Sequence, residues 1–179
     1  MKRIFLFFLI LLLSSCAEEL EFKPYHLKNY YAKIHINHGN TYLENGRYDL
    51  AIEEYTKAII LDPGIPEAYY NRGLAYYYKG KYDLSIQEYT KAIVLCPSFA
   101  EAYNNRGLAY FQKGDYDLAI RDYTKAIELK PGFGVAYSNR SRVYYKLKKW
   151  EEACVDAKRA CDLGICDFYG FLIKKGVCK

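Results

Sequence analysis

The sequence predicts an all-α fold, a solenoid of antiparallel helix pairs stacked in a row, and three observations carry that expectation. The first is a fixed period. Pro63, Pro97 and Pro131 stand 34 residues apart, as do Gly39, Gly73 and Gly107, with Ser141 at the next step. The second is near-identity between copies: Tyr69 to Pro97 reads YYNRGLAYYYKGKYDLSIQEYTKAIVLCP, and Tyr103 to Pro131 reads YNNRGLAYFQKGDYDLAIRDYTKAIELKP. The third is the size pattern within a copy. Small residues at Gly73 and Ala92 let two helices approach, rings at Tyr76 and Tyr89 fill the space beside them, and Gly80 with Lys81 makes a short turn. Each pair leaves an apolar face open that the next pair closes, so the array is quasi-one-dimensional and has a concave side.

Composition agrees with a packed chain. Of 179 residues, 51% are hydrophobic, and 21 tyrosines supply most of the aromatic area needed for a core, which excludes disorder over most of the length. The net charge of +5 is too mild to argue for nucleic acid.

The chain begins with Lys2 and Arg3, the ten-residue apolar run Ile4 to Leu13, and Ser14 and Ser15, which is the layout of a secretory signal. Ten apolar residues are too few to span a bilayer, which takes roughly 20 in a helix. Leu13-Ser14-Ser15-Cys16 resembles a bacterial lipobox, in which the cysteine receives a diacylglycerol and becomes the mature N-terminus. That resemblance implies a signal peptide over 1–15, lipid attachment at Cys16, and a tether and lead-in over 16–31. An ordinary signal peptide with a chance cysteine is the plainer alternative. Two or three acyl chains would hold the protein stably to a membrane surface without spanning it.

The repeated motif resembles the tetratricopeptide repeat, whose pattern is W-x2-L-G-x2-Y, then A-x3-F, then P. In that frame four units run over 32–65, 66–99, 100–133 and 134–167, followed by a capping segment over 168–179. The Trp position holds His35, Tyr69, Tyr103 and Tyr137, and the next aromatic is Tyr42, Tyr76, Tyr110 and Tyr144. In the second helix Ala51, Ser85, Ala119 and Ala153 are small, Tyr55, Tyr89 and Tyr123 are the rings, and Ala58, Ala92, Ala126 and Ala160 are small again. Ala157 replaces the ring of unit four and Ile165 its proline, as suits a terminal unit. The resemblance implies a right-handed α-solenoid with a C-terminal capping helix. Asp49, Asp83 and Asp117 stand where a carboxylate caps the second helix, and the prolines stop it.

No catalytic constellation is visible, so no enzyme activity and no cofactor are expected. There is no phosphate loop, no HExxH and no GxSxG. His35 and His38 are three apart on one helix, but no carboxylate stands at a useful spacing in sequence and one fills the ring position, so packing is the better reading and no metal is expected. The concave face, lined in this family by first helices, is the candidate site. Asn37, Asn71, Asn105 and Asn139 recur there every 34 residues, each offering a donor and an acceptor. The row resembles the asparagine ladder of tetratricopeptide superhelices that grip a peptide backbone; tying one helix to the next is an equal alternative. Tyr77, Phe111 and Tyr145, with Leu43, Tyr78 and Leu74, form an aromatic strip suited to a partner's apolar side chains.

The family's carboxylate clamp is broken, because Asn40 and Asn71 fit but Ile36, Glu101 and Asn105 stand where lysine, lysine and arginine are expected. Arg72, Arg106 and Arg140 occupy the family's leucine position. An acidic-ligand site is one reading; ion pairs with the equally periodic Glu88, Asp122 and Asp156 are the better one.

Four of the six cysteines fall at Cys154, Cys161, Cys166 and Cys178. In an exported chain disulfides are expected there, with buried thiols or a zinc site as the alternatives. If the last repeat helix ends near Leu163 and a cap over 167–175 runs back along it, Cys161 and Cys166 flank the turn and Cys178 returns beside Cys154. Crossing pairs would span too far. Phe168, Phe171 and Leu172 give that cap its apolar side. The expected function is a lipid-anchored adaptor of the bacterial cell envelope, periplasmic or surface-facing, binding an extended segment of a partner protein. The second reading is an assembly or pilot lipoprotein for a secretin, pilus or outer-membrane complex, without a defined groove.

Overall fold

The computed structural model describes residues 27–179; the leader, Cys16 and most of the expected tether lie outside that range. The described residues form α1 (27–44), α2 (Tyr48–Leu61), α3 (Pro66–Tyr78), α4 (Tyr82–Leu95), α5 (Ala100–Lys113), α6 (Tyr116–Leu129), α7 (Gly134–Lys146), α8 (Trp150–Asp162) and α9 (Asp167–Lys174). No strand occurs among them, and none of their helices is long and apolar enough to cross a membrane. The fold is an all-helical solenoid. Helices pair within units (α3 with α4, α5 with α6, α7 with α8), and each pair docks on the next through α2 with α3, α4 with α5 and α6 with α7. The first helices also meet across units, α3 with α5 and α5 with α7, which makes them the inner wall.

Within a pair, spacing is set by a glycine under a tyrosine ring. A Cβ added at Gly39, Gly73 or Gly107 would lie 2.5, 2.9 or 2.8 Å from Cε1 of Tyr55, Tyr89 or Tyr123, closer than carbon atoms pack. Those rings are almost wholly buried. Unit four changes both partners together. Ala157 removes the ring, and Ser141 takes the glycine's place, its hydroxyl donating to the carbonyl of Ala153 at 2.7 Å. The turns between paired helices hold a residue at positive φ, Gly46, Gly80 and Gly114, and in unit four Lys148.

The carboxylates expected to cap the second helices do something else. The N-cap residues are Arg47, Lys81 and Asp115, and none makes a side-chain cap bond. Asp49 and Asp83 sit one residue inside the helix, where Lys79 and Lys113 from the following unit's turn pair with them. They still face the positive end of the helix dipole, but as links between units. Asp117 has Leu147 at the matching position. The second helices end at Leu61, Leu95 and Leu129, one residue before the residue that precedes proline.

The last turn of the solenoid is closed by α9. Leu172 is fully buried among Ala153, Ala157 and Cys178, with Phe168 and Tyr144 packed around it. Disulfides join Cys154 to Cys178, with 5.6 Å between Cα atoms, and Cys161 to Cys166, with 4.0 Å. Cys96 is a half-buried free thiol.

Two tyrosines in the same register provide a test of these contacts. The Tyr55 hydroxyl donates to Asn40 Oδ1 at 2.8 Å, whereas the equally buried Tyr89 hydroxyl has no hydrogen-bond partner among the described residues, with Leu74 standing where Asn40 would be. Tyr55→Phe should therefore cost about 1 kcal/mol. Tyr89→Phe should be neutral or stabilising, both measured by urea denaturation.

Candidate protein-binding face

Two rows of polar side chains run along the array, and they serve different ends. On the flank of each pair, an arginine from the first helix meets a carboxylate from the second. Arg72 Nη2 lies 2.8 Å from Glu88 Oε2, while Arg106 and Arg140 grip both oxygens of Asp122 and Asp156 at 2.7 to 2.9 Å. Each guanidinium also donates to a threonine of the preceding unit, Thr56, Thr90 or Thr124, at 2.8 to 3.0 Å. It lies over the ring of Tyr69, Tyr103 or Tyr137 at 5.5 to 5.8 Å. Burial alone would lower the proton affinity of Arg106 and Arg140; the bonds and charges of Asp122 and Asp156 outweigh it and raise both pKa values. These arginines are committed to the frame.

The second row is the asparagine column of the inner wall. Asn71 Nδ2 donates to Asn40 Oδ1 at 3.0 Å, Asn105 Nδ2 to the Tyr70 hydroxyl at 2.8 Å, and Asn139 Nδ2 to Asn104 Oδ1 at 3.0 Å. Three of the four amides thus tie their unit to the one before. That use takes one amide hydrogen and leaves the Oδ1 of Asn71 and of Asn139 without a partner among the described residues. Asn37 is exposed, with no side-chain bond among them. Tyr70, half-buried beside the column, has its pKa pushed up to about 12 by burial and by the nearby charge of Glu101. Of the clamp positions, Asn40 and Asn71 bond each other, Ile36 is buried, and Glu101 pairs with Lys130 at 2.8 Å.

The rings of the expected aromatic strip also pack against the second helices. Tyr77, Phe111 and Tyr145 pack on Tyr82, Tyr116 and Trp150 at the start of the second helix of their own unit, with centroids 5.3 to 5.7 Å apart. Tyr145 also meets Phe168 and Phe171 of α9 at 5.8 Å, so the cap covers it. The Tyr77 hydroxyl also accepts from Gln112 Nε2 of α5 at 3.2 Å, on the line where the first helices of units two and three meet. Tyr78, 56% exposed, stacks on Tyr48 of the preceding unit, and Leu74 beside it is half-buried.

One cluster was missed in the sequence. His35 Nδ1 lies 2.6 Å and His38 Nδ1 3.8 Å from Glu54 Oε2, and Lys57 holds the other carboxylate oxygen at 2.5 Å. The expectation that these histidines lack a carboxylate is corrected. Glu54 is 19 residues from His35 in sequence but stands across the helix pair from it. The period held the signal, since Glu54 shares the register of Glu88, Asp122 and Asp156. Burial pushes the Glu54 carboxyl up, yet the bonds from His35 and Lys57 outweigh it and hold it below the usual range.

Removing one member of a buried arginine pair should be far worse than removing both. Arg106→Leu strands Asp122, 6% exposed, and should cost about 3–5 kcal/mol. The double variant with Asp122→Leu should recover most of that loss in the same denaturation experiment.

Comparison with known proteins agrees with this geometry. Models of the TPR repeat match residues 39–80 and 74–114, and a tetratricopeptide repeat model matches 100–133. No curated protein matches the chain. Among solved structures, the crystal structure of MamA is 33% identical with a TM-score of 0.70, over 74% of this chain and 78% of that one. The first TPR of Spaghetti (RPAP3), bound to the HSP90 peptide SRMEEVD, is 31% identical with a TM-score of 0.66, over 67% and 95%. The second TPR domain of human RPAP3, in complex with the HSP70 peptide SGPTIEEVD, is 30% identical with a TM-score of 0.61, over 66% and 97%. The chain belongs to the tetratricopeptide repeat family, a family of protein-interaction modules.

Proposed function

We propose that this protein is a membrane-tethered adaptor of the bacterial cell envelope that holds an extended segment of a partner protein on its inner wall. The observation that carries the reading is the asparagine column, whose amides at Asn71 and Asn139 bond the preceding unit and keep a carbonyl oxygen unpaired among the described residues. Amides at a regular interval suit the alternating donors and acceptors of an extended backbone, and Tyr77 and Phe111, with Tyr78 and Leu74, supply apolar anchoring beside them. Two solved relatives hold peptides that end in EEVD. The partner here differs in chemistry, because Ile36 and Glu101 stand where the clamp lysines would be.

Tethering rests on Leu13-Ser14-Ser15-Cys16, with Cys16 as the lipidated mature N-terminus. The paired cysteines of the cap suit an oxidising compartment. Binding and anchoring are tested together by crosslinked capture from the envelope. Asn37→Ala removes an amide that bonds nothing in the described body, so it should weaken capture with the melting temperature unchanged. Asn71→Ala with Asn105→Ala should weaken capture further and cost about 1 kcal/mol per lost inter-unit bond. Capture unchanged in both variants would give the column to structure alone and favour the assembly reading. Cys16→Ala should move the chain out of the detergent phase; if it partitions as wild type does, the tether is wrong.

A further inference from the structure

We propose that the first unit carries a transition-metal site in which His35, His38 and Glu54 bind a divalent cation of the zinc class. The argument begins with what the same positions hold elsewhere. In units two to four, the second-helix carboxylate is met by an arginine, and three residues before that arginine a tyrosine lies beneath the guanidinium. In unit one the carboxylate is kept as Glu54, while the arginine register holds His38 and the tyrosine register His35. Both neighbours of one carboxylate have changed to imidazole together. An arginine there has no acceptor electrons for a metal; two neutral imidazoles do.

The geometry suits three ligands on one ion. His35, His38 and Glu54 each bring one ligand atom to within 4.8 Å of the other two. Ligands about 2.0–2.2 Å from a tetrahedral ion stand roughly 3.3 Å apart, so small side-chain rotations complete the set. Lys57 occupies the oxygen of Glu54 that faces away from the histidines and orients the other one toward them. The glutamate side chain is 12% exposed, His35 29% and His38 62%, so the site is anchored on one side and open to water on the other. Two imidazoles and a carboxylate favour zinc, nickel or copper over magnesium or calcium.

A bond between His35 and Glu54 alone would explain their 2.6 Å separation, but it gives His38 no task. The metal gives it one. A cation held by His35 and His38 of α1 and Glu54 of α2 would brace this helix pair.

The test is calorimetric titration of Zn²⁺ into the chain with its disulfides intact and its two remaining cysteines replaced, Cys16→Ala and Cys96→Ser. One saturable equivalent is expected, with zinc-dependent shifts of two histidine imidazole resonances and a raised melting temperature. His38→Arg restores the residue of the other units and should keep the fold while weakening zinc binding at least about tenfold. Glu54→Gln should weaken it as well. Absence of saturable binding would overturn the proposal, and so would an affinity that His38→Arg leaves unchanged.

Discussion

The architecture of the first three units is built on the contact between a glycine and a tyrosine ring. At Gly39, Gly73 and Gly107 there is no room for a Cβ, so the first helix of each pair sits directly on the ring of Tyr55, Tyr89 or Tyr123. That contact sets the separation of the two helices, and the separation places the arginine on one helix within reach of the carboxylate on the other. It also fixes which side of the first helix remains free for the inner wall. Because the contact recurs every 34 residues, so does each of its consequences. The exception supports the rule: Ser141 is tolerated only where Ala157 has removed the ring.

The arginine row then converts three similar pairs into one body. Arg106 spans Asp122 in its own unit and Thr90 in the preceding one, so its bonds form only when two units are correctly stacked. The same is true of Asn139 with Asn104 and of Lys113 with Asp83. In a quasi-one-dimensional array the stability of each unit depends on such nearest-neighbour terms. Buried polar links of this kind contribute little net energy over apolar packing, but they penalise a slipped register heavily. A rigid inner wall follows from that, with its amides held at fixed intervals.

Periodicity made the helix pairs and the arginine–carboxylate partners legible, because each depends on spacing along the chain. What stayed hidden depends on direction. Tyr77 and Tyr78 are adjacent, both aromatic and both in the last turn of α3, yet about 100° of helix separates a ring packed on Tyr82 of its own unit from one stacked on Tyr48 of the preceding unit. Asp49 reads as a cap from its place near a helix start, but one residue of register makes it a partner for Lys79 instead. Glu54 escaped because spacing within one helix was weighed for the histidines, and the carboxylate comes from the other helix.

The first and last described units depart from the repeat in different ways. In units two and three the ring, glycine, arginine and threonine all recur together, and in the units on either side some of them are replaced. At the C-terminus the replacement is covalent and apolar: α9 lays Phe168 and Leu172 over α8, and two disulfides hold a helix of 8 residues that is too short to be stable alone. At the first described unit it is polar. His35 and His38 converge on the carboxylate that an arginine satisfies everywhere else, and Lys57 supplies the positive charge from the same helix as Glu54. Departures from the repeat are therefore informative in proportion to how many of them meet at one point in space, and two meet at Glu54.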